Sequence, residues 1–270
     1  MLIMNILMQI FFFIGVIYLV GFIISLLNRA FYSLVNHSRA VCYATGFIGT
    51  PVHELSHAIM CFVFGHRIQE VKLFQIDDEN GVLGYVRHSY NPRNLYHIMG
   101  NFFIGVAPIV CGTLVLFLLI RLLMPSAFTM VSAYMTAFTK YASSGLNWQN
   151  IRYLIGTFSG MTETIFSSIS LGFPFFVFLV LALCIALHQN LSGADIKNSL
   201  TSLPILIILL VIVNVIIYLV SLNAYISFVG VMNRAGGFLT CGLLLALMCS
   251  CIPLVIALTI KGSVKIFKRK

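Results

Sequence analysis

The feature that most restricts this chain is a series of long apolar runs at residues 2–27, 41–65, 95–124, 173–187, 203–220 and 238–260. A helix gains about 1.5 Å per residue, so about 20 apolar residues cross the hydrocarbon core of a bilayer. Backbone groups in lipid must be satisfied internally, which makes runs of this length helices. The run at 173–187 is the shortest, at about fifteen residues, and sits at the lower edge of what spans. Composition agrees: 60% of the residues are hydrophobic and 9% charged, against roughly 45–50% apolar in an ordinary soluble domain. We therefore expect an all-α polytopic membrane protein with about six transmembrane helices, folded as one membrane-embedded domain over residues 1–270. The first run lacks the basic start and short apolar core of a cleavable signal peptide, so it is expected to stay as a span.

The polar intervals are few. The most polar, 66–92, alternates in the manner of a hairpin: 71–76 and 82–87 are strand-like, and Asp77-Asp78-Glu79-Asn80-Gly81 supplies turn residues between them. Residues 125–171 are only moderately apolar and fit interfacial helices or a partly re-entrant segment. The net charge of +9 does not indicate nucleic acid, because the basic residues are scattered through connections and gathered in 261–270. A basic end of that kind is an orientation signal that places the C-terminus in the cytoplasm. Six spans put both termini, the hairpin and the 188–202 connection on that same side. The seven cysteines show no zinc-ribbon spacing and read as small core residues.

One run is not uniformly apolar. Within 41–65 stands His53-Glu54-Leu55-Ser56-His57. On a helix, His53 and His57 lie one turn apart on one face, so both imidazoles reach a single metal ion, and Glu54 stands beside them as an acid/base. With 7 His and 4 Glu in 270 residues, a shuffled chain would contain on the order of 0.003 such patterns. Ionisable groups at membrane depth are costly enough to mark function. Gly46, Gly49 and Ala58 keep the helix slim, and Pro51 stands just before the ligands.

A catalytic zinc needs three protein donors and an open position. Outside the hairpin, the remaining acids are Glu163 and Asp195, and the other histidines are His37, His66, His88, His97 and His188. The fourth span runs in the same direction as the second, so its end delivers 187–197 to the depth of the motif. Asp195 is the first candidate, His188 the second and Glu163 the third. Asp195 also has a structural alternative, since Ser192 or Asp195 could cap a helix that begins there. Patterns of soluble zinc proteases fit less well: Val63 stands where a further ligand histidine would be needed, and Asp77 to Glu79 would have to fold back from a charged turn.

The motif in an early span, the polar hairpin after it and the later Leu191-Ser192-Gly193-Ala194-Asp195 together resemble the site-2-protease family of intramembrane zinc metalloproteases, in its divergent bacterial form. The resemblance covers about 41–112 and 173–198. It implies zinc as cofactor, His53, His57 and Asp195 as its ligands, and Glu54 as the catalytic residue that activates a zinc-bound water. It also implies peptide-bond hydrolysis in or near a membrane-spanning or membrane-associated substrate, in a bacterial cytoplasmic membrane. Asp195 departs from the usual family pattern, being followed by Ile196 rather than glycine. The alternative is a non-proteolytic transporter or scaffold that retains a degenerate metal site. No repeat relates the two halves of the chain, as transporters often show.

Overall fold

The computed structural model describes residues 1–76, 81–143 and 148–267. Its helices are α1 (Leu2–Leu34), α2 (Arg39–Val63), α3 (Leu95–Leu123), α4 (Pro125–Ser143), α5 (Trp148–Ser167), α6 (Phe173–His188), α7 (Gly193–Val220) and α8 (Leu222–Phe267). A π-helical stretch at Phe11–Gly15 lies inside α1. Strands β1 (Arg67–Lys72) and β2 (Tyr85–Ser89) form an antiparallel pair between α2 and α3. The fold is all-α with this one small sheet, as expected.

Among the described residues, four helices, α1, α3, α7 and α8, are long and apolar enough to cross a membrane. The 25 residues of α2 give it the length, but the motif lowers its hydropathy; α6 is apolar throughout and 16 residues long. Helix α3 is the central one, with 61% of its most apolar window buried, whereas in α7 only 6% is buried. An apolar helix that stays so exposed has lipid as its solvent. Where α1 and α7 meet, Gln9 and Asn214 exchange side-chain hydrogen bonds at 2.8 and 3.3 Å. Such amide pairs join helices in a medium that offers no competing water.

The direction of each helix fixes the site. Helix α2 is antiparallel to α3: His57 meets the Ile104 carbonyl and Phe64 stacks on Phe103. Added Cβ atoms on Gly112 and Gly105 would strike Gln189 and the Asp195 main chain, so α7 is also antiparallel to α3. Helix α6 approaches in the direction of α2, with Cys184 opposite Gly49 and His188 opposite His53. The connection 189–192 is thus a break within one continuing path. Gln189 and Leu191 are buried there, and the site forms at this break. That differs from the expected surface loop over 188–202, because the polar residues from Ser192 onward are used to start α7.

Two further expectations are revised and one is made definite. Helix α8 is continuous through the region expected to link two spans, because Gly236 is a contact point, not a stop: a Cβ there would lie 2.8 Å from the Phe12 Cβ. Helix α8 starts where α7 ends, and its Gly242 rests on Thr113 and Phe117 in the second half of α3. Within 125–171, where interfacial helices were one of two expectations, the described residues form α4 and α5, packed on each other, with α4 also against α8. Finally, the strands lie closer to the flanking helices than expected, pairing Arg67 with Ser89 through Lys72 with Tyr85. The Tyr85 hydroxyl donates to Glu70 at 2.7 Å, a cross-strand contact that apolar alternation does not reveal. The expected turn acids Asp77 to Glu79 fall outside the described residues, as do residues 268–270 of the basic end.

Candidate metal centre

Helix α2 runs unbroken through Pro51 and places His53 and His57 on one face. Each Nδ1 is fixed by a main-chain carbonyl: His53 Nδ1 donates to His188 O at 2.7 Å, and His57 Nδ1 donates to Ile104 O at 2.8 Å. A carbonyl only accepts, so each Nδ1 carries a proton, and in the neutral form of the rings each Nε2 carries the lone pair that a metal would take. Those two atoms face each other at 3.1 Å.

Asp195 completes the group. Its Oδ1 lies 3.2 Å from His57 Nε2, and its Oδ2 lies 3.7 Å from His53 Nε2. The three donors stand within 4.8 Å of one another. Asp195 is brought there by the start of α7. Ser192 caps that helix, its hydroxyl accepting from Asp195 N at 3.1 Å, while Asp195 Oδ2 accepts from Ser192 N at 2.8 Å. This reciprocal capping box fixes the first turn and aims the carboxylate at the two rings. One side chain thus makes the capping bonds and also faces the two imidazoles.

The arrangement fits a metal ion. Two imidazole lone pairs and a carboxylate converge in a buried place, and a divalent cation satisfies all three together. The outer nitrogens bonded to carbonyls are the pattern that orients histidine ligands. The half-buried His53 with the buried His57 and Asp195 can therefore hold a metal ion.

Of the other candidates, His188 contributes its main chain, not its ring. Its Nε2 lies 3.0 Å from the Thr45 hydroxyl and its Nδ1 3.4 Å from that of Thr50. Glu163 is exposed on α5 and takes no part. Glu54 is buried, and with Thr50, His53 and His188 it lines a cavity of about 900 Å³. Leu83 and Gly84 form the opposite wall. A Cβ on Gly84 would come within 2.8 Å of Glu54 Cγ, so only glycine lets this backbone pass so close.

Sequence reasoning missed the orienting carbonyls of His188 and Ile104, for which side-chain identity carries no signal. It also left His66 and His88 without a place. They meet beside Cys61 at the far end of α2. Burial lowers the His66 pKa from its ordinary value, and burial with the nearby His66 lowers that of His88, which favours the neutral form of both rings. No protein-family model, characterised protein or solved structure matches the chain. The functional argument therefore rests on the residues themselves.

Proposed function

We propose that the chain is a membrane-embedded zinc endopeptidase of the site-2-protease kind, hydrolysing a peptide bond in or near a membrane-spanning substrate. The observation that carries this reading is the set of two bare histidine nitrogens and the Asp195 carboxylate converging beside Glu54 at a cavity.

His53, His57 and Asp195 would hold the ion. When bound, zinc supplies Lewis-acid polarisation of the scissile carbonyl and makes water a stronger nucleophile at neutral pH. His188 O and Ile104 O keep the imidazoles in the tautomer that ligation needs. Glu54 accepts the proton of the attacking water and returns it to the leaving amine. The extended chain over 82–84 lies at the cavity wall beside Glu54, where an edge can align an unwound substrate segment. A helical substrate would have to be extended at that point, because its own hydrogen bonds otherwise occupy the backbone.

The test is Glu54→Gln in the full-length protein, co-expressed with candidate membrane substrates. Cleavage should fall by about 10²–10⁴-fold, the share that general acid–base catalysis supplies, while metal content stays at the wild-type level. Undiminished cleavage would remove Glu54 from the mechanism.

A further inference from the structure

His53, His57 and Cys61 follow one another at intervals of four residues along the same stripe of α2. The first two belong to the centre described above. Cys61, fully buried, belongs to a second group with His66 and His88, whose ligand atoms also lie within 4.8 Å of one another.

This group is built by a helix ending. Gly65 takes φ +68°, its N–H donates to Phe62 O at 3.2 Å, and His66 N donates to Cys61 O at 2.8 Å. That is a Schellman motif, and it folds His66 back over the last turn onto Cys61. His66 Nε2 donates to His97 O at 2.8 Å, which leaves His66 Nδ1 as a bare acceptor. His88, paired opposite Ile68 in the sheet, brings its Nδ1 to 3.1 Å from that atom. Tyr90 stacks on the His66 ring, with centroids 5.0 Å apart, and closes one side.

A thiol and two imidazoles are the donors of a borderline-soft ion, and the oxygen-seeking magnesium and calcium have no partner here. The His66 bond to a main-chain carbonyl is again the arrangement that orients a histidine ligand. Cys61, His66 and His88 are not among the residues lining the cavity of Glu54, and the group contains no carboxylate to act as a base.

We propose that Cys61, His66 and His88 form a second divalent-metal site, for zinc or an ion of similar softness, which fastens β2 to the end of α2. Binding releases the Cys61 proton to solvent and forms a metal–thiolate bond. Strand β2 follows directly on the 82–84 segment beside Glu54, so the fastening also holds that wall in place. The inference does not depend on proteolysis.

Cobalt(II) substitution of the full-length protein in detergent tests it, because the first centre contains no sulfur. The wild type should show a near-ultraviolet thiolate-to-cobalt charge-transfer band. That band should vanish in Cys61→Ser and persist in His53→Ala. Metal analysis should give about two ions per chain in the wild type, one for each set of three donors, and about one in either His88→Ala or His53→Ala. Absence of the band from the wild type, which requires no variant to fold, would overturn the proposal. So would a band unchanged in Cys61→Ser. A single ion with sulfur ligation would uphold this site and count against the centre at His53; a single ion indifferent to Cys61→Ser would do the reverse.

Discussion

The two groups on α2 begin from the same stripe of one helix and are completed in opposite ways. The first takes its third donor from Asp195, more than a hundred residues away in the chain, and opens beside Glu54 onto a cavity. The second is finished locally, by a helix-ending turn and the adjoining hairpin, and among the described residues its donor group holds no acid. A reaction needs an accessible position and a proton acceptor, whereas a fastening needs only closure. The difference teaches that similar donor sets acquire different roles from what completes them.

Asp195→Ala should separate the two groups most strongly. It removes a donor from the first centre and the N3 partner of the Ser192 cap. Metal affinity there should collapse, and cleavage should fall on the order of 10³-fold, since Lewis-acid assistance is worth several kcal/mol. The thiolate band of the second group should remain. A titration in which Asp195→Ala binds metal at the first centre as tightly as the wild type would break the comparison.

Gly49→Ala is a subtler instrument. An added Cβ would overlap the Cys184 carbonyl and lie 2.8 Å from the His188 Cβ, so α6 must move away and carry the His188 carbonyl from His53. Loss of an orienting partner costs about 10–100-fold in metal affinity. The effect should appear at the first group alone, by competition with a chelator.

The smallest effect is expected on the hairpin surface. Arg87 Nη1 lies 3.4 Å from Glu70 Oε2, with both side chains well exposed, and such pairs are worth about 1 kcal/mol or less. Arg87→Ala should barely shift thermal unfolding in detergent. A large shift would mean that the surface pair, not the buried group, anchors the hairpin.

What the sequence disclosed divides along similar lines. His53, Glu54 and His57 were legible because helical spacing alone brings them together. Asp195 was legible because acids are so scarce in this chain that few alternatives existed. Cys61, His66 and His88 were not, since their meeting depends on the left-handed Gly65 and on a strand register set by Tyr85 and Glu70. For α4 and α5 the sequence left interfacial helices and a re-entrant segment open, because their mixed polarity matches neither a span nor a loop. The continuity of α8 was hidden because glycines such as Gly236 look like a break until Phe12 is seen against them.

Asp195 serves two masters. Its Oδ2 secures the first turn of α7 through Ser192 and also faces the imidazoles, so the need for a folded bundle would retain it whether or not the chain cuts peptides. Glu54 has no comparable bond among the described residues. In descendants of this fold, a surviving aspartate would record ancestry, and the glutamate would record work.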